Sequence, residues 1–300
     1  MQEFVGLGCA SMLGRYSKGD SIRILSHAYS EGIRHFDVAR SYGYGEAESL
    51  LGRVFKSSSD IKISTKFGVV PMRKAKLFSF AKPFIRPFIR KKVPSSLLID
   101  YKNENVIDEE LLKSSISASL KALQVDQVYR LFVHEPPSSW AIDSGLSNAL
   151  EGLVEDGTIC GWGVSGYVDS INEISHNPLN LGVTNFQSSL NLFNYPDFKE
   201  LKLEAIFSLF HRGYVIKVLD DLAKNKAFTS RFEVVFGCDY LEHSSAFWAV
   251  ALMAAVTDCR MVLATKSCLS LDESLSAIGY GKRIDFDVAE KSILTIREGV

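Results

Sequence analysis

Eight short apolar runs rich in β-forming residues recur along the chain, and longer helical patterns lie between most of them. The runs are EFVGLGC, IRHFD, IKISTK, VYRLFVH, ICGWGVS, LGVTNFQ, LEAIFSLF and RMVLATKS. The helical patterns cover Ser21–Glu31, Glu46–Phe55, Glu109–Leu123, Ser144–Glu155, Val168–His176 and Ser245–Val256. Strands that alternate with helices form parallel βαβ units. Eight such units in 300 residues predict an α/β fold, a closed (β/α)8 TIM barrel in a single domain over residues 1–300.

A doubly wound open sheet is the alternative architecture for the same order of elements. That fold carries a GxGxxG turn between its first strand and first helix. The corresponding stretch here reads GLGCASMLG, whose glycines do not have that spacing. The barrel is therefore the favoured interpretation.

The composition is that of a globular protein with a sizeable core, at 46% apolar and 23% charged residues. A net charge of −1 gives no indication of a nucleic-acid partner. The five cysteines form no CxxC pair and no Cys/His cluster, so we expect neither a metal site nor a disulfide framework. The start of the chain does not resemble a signal peptide, and no run is long enough to span a membrane. We expect a cytoplasmic enzyme.

One segment, at about residues 69–106, departs from the alternating pattern and is read as an insertion. Between Pro71 and Ile99 it holds eight basic residues, no acidic ones and four of the eight prolines of the chain. Long loops in compact domains are usually functional or disordered. It could be a solvated variable insertion, a lid over an anionic ligand, or a membrane-surface element. For the lid, the residues expected to face an anionic group of the substrate are Lys82, Arg86, Arg90, Lys91 and Lys92.

Chemically capable side chains stand at the ends of successive strands, where TIM barrels carry their active sites. The second strand ends in Asp37, and Tyr42 follows on the next loop. Lys66 ends the third strand and His134 the fourth. Later strand ends supply Ser165, Gln187, Phe207, Ser208, Thr265 and Lys266. Each residue alone has an ordinary structural explanation, but their occurrence on one strand end after another indicates a site.

This set suits the protonation of a carbonyl oxygen while hydride arrives at the carbon. A tyrosine with a pKa of about 10 is a weak acid at neutral pH, and a neighbouring ammonium group can lower that pKa. The lysine needs a carboxylate partner to stay charged in a partly dry site. We therefore expect Tyr42 as the acid, Lys66 as the group that lowers its pKa, and Asp37 as the counter-ion of Lys66. His134 would orient the carbonyl group.

With these residues in view, the sequence resembles the aldo-keto reductase superfamily over nearly its whole length. FDVARSYGYGEAESLLG resembles the Asp-x-Ala-x-x-Tyr motif of that family, and its spacing selects Tyr42 as the acid. ISTKFG resembles the lysine strand, LFVHEP the histidine strand and NFQSSLNLFN the glutamine strand. The resemblance implies a TIM barrel that binds NADP(H) across its mouth. It implies the catalytic residues Asp37, Tyr42, Lys66 and His134.

The resemblance also implies contacts to the cofactor, with Ser165 and Gln187 holding the carboxamide and Phe207 stacking on the nicotinamide ring. The other implied contacts are Gly8, Cys9, Asp37, Ser208, Arg212, Thr265, Lys266, Ser270 and Ser274. Three places depart from the family pattern. Val38 replaces a threonine, and Gly166 stands where many members have an asparagine. In the stretch from Ser270 to Ser274 many members carry an arginine and an asparagine for the 2′-phosphate and adenine. Lys266 is then the main expected partner of a 2′-phosphate. NADP(H) is favoured and NAD(H) is the alternative, because Asp272 could accept a hydrogen bond from a ribose hydroxyl.

Three functions remain open from the sequence. The first is a reductase or dehydrogenase that acts on an aldehyde, ketone or sugar, including an anionic one. The second is a lyase in which Lys66 forms a Schiff base, as aldolases do. The third is a cofactor-binding subunit without turnover, a role that some relatives of the family have.

Overall fold

The computed structural model describes residues 3–56, 58–69 and 106–298. Within these ranges eight parallel strands close into a barrel in chain order, and the eighth strand pairs with the first. The strands are β1 (Val5–Gly8), β2 (His35–Asp37), β3 (Lys62–Phe67), β4 (Arg130–His134), β5 (Trp162–Gly166), β6 (Phe186–Ser189), β7 (Ala205–Phe207) and β8 (Arg260–Leu263). The predicted (β/α)8 barrel is confirmed. The basic residues of the insertion, Lys82, Arg86, Arg90, Lys91 and Lys92, lie outside the described residues.

Helices lie between the strands and pack around them. They are α1 (Lys18–Ser30), α2 (Ala47–Val54), α3 (Glu109–Leu123), α4 (Ser144–Glu155), α5 (Val168–His176), α6 (Tyr195–Phe198), α7 (Tyr214–Leu222), α8 (Lys226–Phe236), α9 (Ser245–Val256), α10 (Cys268–Gly281) and α11 (Phe286–Glu298). All six predicted helices are present. Helices α6, α7, α8 and α11 were not predicted from the sequence. No described helix is long and apolar enough to cross a membrane.

Side-chain caps fix where several helices begin. Ser17, Asp108, Asp143, Ser244 and Ser267 each accept a hydrogen bond from the backbone N–H three residues later. Such a cap stabilises a helix by about 1 kcal/mol because it satisfies an N–H group that the helix itself leaves unpaired. The Ser267 cap sets the start of α10 at Cys268, because β8 ends at Leu263 and the loop from Ala264 to Ser267 leads directly into the helix. Thr265 and Lys266 therefore lie on this loop and not, as predicted, at the end of the strand.

The strand register brings the carboxyl ends of β2 to β6 to one rim. Asp37 pairs with Ser64, Lys66 with Phe132, His134 with Ser165, and Ser165 with Gln187. Parallel strands all point the same way, so these residues face the same end of the barrel, here called the mouth.

The opposite end of the barrel is closed by ion pairs and an aromatic ring. Glu204 accepts hydrogen bonds from Arg130 Nε at 2.8 Å and Arg260 Nη1 at 3.3 Å. The guanidinium groups of both arginines also lie over the ring of Tyr129, at 4.5 and 5.5 Å from its centroid. In this fold the amino ends of the strands support stability rather than chemistry.

Helix α9 is buried almost all round and anchors the carboxyl-terminal part of the fold. Its residues from Phe247 to Ala254 are at most 4% exposed, and it packs against α10 and α11. At the contact with α10, a Cβ atom added to Gly281 would lie 2.1 Å from the backbone oxygen of Ala251. Only glycine allows the two helices to approach so closely.

We therefore expect Gly281→Ala to lower the free energy of unfolding by more than about 2 kcal/mol, because two packed helices must separate to admit the methyl group. Gly152→Ala is the matched control, since nothing lies within 4 Å of its added Cβ atom in helix α4. That change should raise the free energy of unfolding by about 0.5–1 kcal/mol, which is the helix propensity difference. Urea unfolding of both variants measures the contrast, and equal effects would contradict it.

Candidate active site

A buried ion pair forms the floor of the mouth. Lys66 on β3 donates from Nζ to Asp37 Oδ1 on β2 at 2.5 Å, and to the backbone oxygen of Val38 at 3.3 Å. Lys66 is 2% exposed and Asp37 is 8% exposed. Both charges have been removed from water, so each depends on the other to remain ionised.

The same network extends across the barrel to β5 and β6. Gln187 Nε2 donates to the second oxygen of Asp37 at 2.8 Å, and Ser165 Oγ donates to Gln187 Oε1 at 2.8 Å. Four buried side chains from four strands are thus joined in one hydrogen-bonded chain. Ser165 and Gln187 are the residues expected at a cofactor carboxamide, and the hydrogen bond from Gln187 to Asp37 was not predicted. A carboxamide offers the same kinds of donor and acceptor that these two residues present.

Tyr42 lies above this floor, at the start of a short 3-10 turn, Tyr42–Gly45. Its ring centroid is 5.3 Å from Lys66 Nζ, and its ring meets that of His134 edge-on with centroids 5.8 Å apart. Gly43 makes this turn possible, because it has a φ of 58° and an added Cβ atom would lie 2.8 Å from the backbone oxygen of Met12. The structure brings Asp37, Tyr42, Lys66 and His134 together at one mouth.

The predicted lowering of the Tyr42 pKa by Lys66 is not what the structure supports. Burial raises the pKa of Tyr42 well above its usual value, and the charges of Asp37 and Glu135 raise it further. Lys66 does not lower the pKa of Tyr42 because Asp37 compensates its charge, and the group next to the phenol is an ion pair rather than an isolated ammonium group. Tyr42 therefore keeps its proton throughout the neutral pH range and is available as a donor.

His134 is 6% exposed at the end of β4, and it is neutral. Burial lowers the pKa of His134 to about 3, and the charge of Lys66 adds to this. Its Nδ1 atom is buried and has no hydrogen-bond partner among the described residues. A neutral imidazole has one N–H group, which can donate a hydrogen bond to a carbonyl oxygen.

Glu135 is a carboxyl group beside the site that the sequence analysis did not single out. It follows His134 directly and has a left-handed φ of 49°, which is unusual for a residue other than glycine. Burial raises the pKa of Glu135, against the opposing charges of Lys66 and Arg212. Glu135 could have been found from the sequence HEPP at the end of β4, where an acidic residue immediately follows the candidate histidine.

The predicted contacts on β1 lie next to the ion pair. Gly8 ends the strand, and an added Cβ atom would lie 3.2 Å from Val262 Cγ1 on β8. The backbone N–H of Cys9 donates to the backbone oxygen of Asp37 at 2.8 Å, which holds the end of β2 in place. Burial raises the pKa of the Cys9 thiol, with a further rise from Asp37, so the thiol stays protonated.

The turn after β7 contains several residues in the left-handed region. Phe207 ends the strand half-buried, and Ser208, His211 and Arg212 have φ values of 64°, 38° and 57°. Such conformations cost free energy and are concentrated at binding sites. The Arg212 side chain on this turn is exposed, so it is available to contact a phosphate.

The loop after β8 and the start of α10 hold the remaining predicted contacts. Lys266 is exposed, and it forms no ion pair with any described residue. Three hydroxyl groups are engaged locally: Thr265 Oγ1 donates to the backbone oxygen of Ser267 at 2.7 Å, Ser274 Oγ donates to that of Ser270 at 2.9 Å, and Ser270 Oγ lies 3.0 Å from Ser267 Oγ. Asp272 Oδ1 lies 2.5 Å from His27 Nε2 on α1, so its charge is turned towards that helix.

Comparison with known proteins gives the family. A family model described as the aldo/keto reductase family matches residues 5–203. The chain belongs to this family. A probable aldo-keto reductase 1 of Glycine max is 28% identical over 161 residues, which is 52% of this chain and 39% of that protein. An aldo-keto reductase of Schizosaccharomyces pombe named yakc [NADP(+)] is 26% identical over 161 residues, 52% of this chain and 40% of that protein.

Two further similarities are more limited. The pyridoxal 4-dehydrogenase of Microbacterium luteolum is 41% identical over 68 residues, which is 21% of this chain and 20% of that protein. The solved holo form of the aldo-keto reductase AKR11C1 from Bacillus halodurans has a TM-score of 0.65 at 17% identity, covering 98% of this chain and 91% of that one. This last comparison supports the fold. The chain spans about two fifths or less of the length of these curated relatives.

The neutral, buried state of His134 has a consequence for stability. The unfolded chain takes up a proton on this residue below about pH 6.5, whereas the folded protein does so only near pH 3. The contribution of neutral His134 to the free energy of unfolding is therefore fully present above pH 6.5, and it is lost as the pH falls towards 3. The slope for one such residue approaches about 1.4 kcal/mol per pH unit.

We expect His134→Gln to make the free energy of unfolding less dependent on pH between 6.5 and 5, measured by urea unfolding. His176→Gln is the control, because His176 is exposed on α5. An unchanged slope in His134→Gln would contradict the neutral buried state. His35, whose pKa burial also lowers to about 3, should retain its own contribution in both variants.

Proposed function

We propose that this protein is a nicotinamide-dependent oxidoreductase that transfers hydride between the cofactor and a carbonyl or alcohol group of an aldehyde, ketone or sugar. The observation that carries the proposal is the buried Asp37–Lys66 pair beneath Tyr42 at the barrel mouth. A phenol that keeps its proton and a neutral imidazole, both beside a buried ion pair, suit the protonation of a carbonyl oxygen.

The four side chains have separate roles in the proposed reaction. Tyr42 donates its hydroxyl proton to the carbonyl oxygen in reduction and accepts one in oxidation. Lys66 stabilises the negative charge that forms on the phenol oxygen after the transfer, and Asp37 keeps Lys66 protonated and in position. His134 donates a hydrogen bond to the same carbonyl oxygen and orients it. The chemistry that a bound nicotinamide supplies is the transfer of hydride at the carbon.

The residues present fit such a cofactor. Ser165 and Gln187 offer a buried hydroxyl and amide for the carboxamide, and Phe207 offers a half-buried ring beside them. The turn after β7 offers the exposed guanidinium group of Arg212 to a phosphate. NADP(H) is favoured because Lys266 is exposed, forms no ion pair with a described residue, and is free to contact a 2′-phosphate. Asp272, which would repel that phosphate, instead contacts His27 on α1. The relative named yakc [NADP(+)] supports the same choice, and NAD(H) is the alternative.

The lyase alternative is weakened by the environment of Lys66. Schiff-base formation needs a neutral amine, and the carboxylate at 2.5 Å favours the charged ammonium form. A cofactor-binding subunit without turnover would not need the Tyr42 hydroxyl group. A loss of turnover on substitution of Tyr42 therefore distinguishes an enzyme from such a subunit.

We expect Tyr42→Phe to lower kcat for carbonyl reduction by about 10²- to 10⁴-fold, because it removes the proton donor and little else. The dissociation constant of NADPH should stay within about twofold. Tyr29→Phe is the control, since the Tyr29 hydroxyl contacts Asp60 on the surface. Full kcat in Tyr42→Phe would show that another group is the acid, whereas wild-type protein that binds NADPH without turning over any carbonyl would indicate the binding subunit.

We expect the protein to bind NADPH more tightly than NADH, measured by quenching of its fluorescence. Lys266→Gln should weaken NADPH binding roughly tenfold and leave NADH binding unchanged, since one charge-assisted contact to the 2′-phosphate is lost. Lys202→Gln, which alters an exposed lysine before β7, is the control. A preference for NADH in the wild-type protein would favour the NAD(H) alternative.

A further inference from the structure

A cavity lies between helices α8 and α11, which belong to the helical layer outside the barrel. Its volume is about 210 Å3. All of its described lining residues come from these two helices, and none of them belongs to the candidate active site. It will be called the α8–α11 cavity.

The two helices turn matching faces towards this cavity. Its lining residues on α8 stand at positions i, i+3, i+4, i+7 and i+8 counted from Phe228, and those on α11 have the same spacing counted from Val288. That spacing corresponds to one face of an α-helix. Facing stripes usually interlock, because protein interiors leave few voids larger than a water molecule. Here they leave more space than an apolar cavity of about 150 Å3 that takes up benzene, so a small apolar group can enter.

Helix α9 holds both walls of the cavity from behind. The ring of Trp248 on α9 lies 4.5 Å from that of Phe232 and 5.5 Å from that of Phe236, measured between centroids. Phe232 and Phe236 also stack on each other along α8, with centroids 4.2 Å apart. Helix α11 packs against the same helix α9. The α8–α11 cavity is therefore a feature of the packed fold.

The polar groups that remain available in the cavity are cations. Ser292 Oγ donates to the backbone oxygen of Val288 at 2.8 Å. Thr295 Oγ1 donates to the backbone oxygen of Lys291 at 2.9 Å, so both hydroxyl groups are engaged within α11. Arg231 on α8 and Lys291 on α11 are exposed, and neither forms an ion pair with a described residue. No acidic residue is among the described lining residues.

We propose that the α8–α11 cavity binds a small amphipathic anion, a carboxylate with a short alkyl chain. The chain would lie against the phenylalanine and aliphatic side chains, and the carboxylate would pair with Arg231 and Lys291. The cavity is smaller than the range of about 300–1,000 Å3 that is usual for ligand pockets, so its occupant is small. Val235 is 44% exposed at the cavity, which is therefore open to solvent on that side. The inference is independent of the proposed reaction.

Octanoate tests this inference, with 1-octanol as the neutral compound of the same chain length. Calorimetry on the full chain gives both dissociation constants. We expect octanoate to bind about fivefold more tightly than 1-octanol, because only the carboxylate meets the two cations. The double variant Arg231→Gln/Lys291→Gln should remove that preference and leave the affinity for 1-octanol unchanged. Ser292→Phe should weaken the binding of both compounds, since its ring would occupy the cavity.

Lys226→Gln is the matched control, because Lys226 is an exposed lysine on α8 that does not line the cavity. This variant should keep the preference for octanoate. Equal binding of the two compounds, or the same loss of preference in Lys226→Gln as in the double variant, would overturn the inference. A preference that persists in the double variant would do so too, since the carboxylate would then be bound elsewhere.

Ser292→Phe carries a further control, because a large residue there could disturb the fold. Urea unfolding of this variant shows whether it is folded, and the double variant decides the question if it is not. Sedimentation of the wild-type protein tests a different occupant, a second copy of the chain. A dimer that dissociates in Ser292→Phe and does not bind octanoate would show that the second copy fills the cavity, and it would overturn the inference.

Discussion

The ion pair between Lys66 and Asp37 is the interaction on which the site depends. Each charge is buried, so removing either partner would leave the other uncompensated, at a cost of about 3–5 kcal/mol in proteins generally. The pair is possible because the closed barrel sets β2 beside β3 with the two residues near the same rim. Gln187 and Ser165 then complete the hydrogen bonding from across the barrel, so four strands contribute to one network.

The electrostatic state of the neighbouring groups follows from this pair. A free ammonium group next to Tyr42 would lower the pKa of the phenol, but an ammonium neutralised by Asp37 leaves burial as the dominant effect, and the pKa rises. The same low-polarity surroundings keep His134 neutral. In the proposed reaction both residues therefore act as neutral hydrogen-bond donors around a fixed ion pair. Such an arrangement needs little reorganisation as charge develops on the substrate.

Strand ends and loops contribute differently to this end of the barrel. The floor is formed by Asp37, Lys66 and Gln187 on strands, whose positions the barrel fixes. Tyr42, Arg212 and Lys266 stand on the loops that follow β2, β7 and β8. In this fold loops vary while the strands keep the scaffold, so specificity is expected on loops.

The sequence by itself determined the order of strands and helices, because the alternation of apolar runs and helical patterns is a local signal. It also determined that Asp37, Lys66 and His134 stand at or next to strand ends. It missed α6, α7, α8 and α11, and it extended β8 to Ser267, the residue whose side chain caps the start of α10. Only the tertiary structure decided that Gln187 reaches Asp37 across 150 residues, that the charge of Glu135 acts on Tyr42, and that the phenol pKa rises. Hydrogen bonds and burial between distant segments depend on closure of the barrel, and no local pattern in the sequence records them.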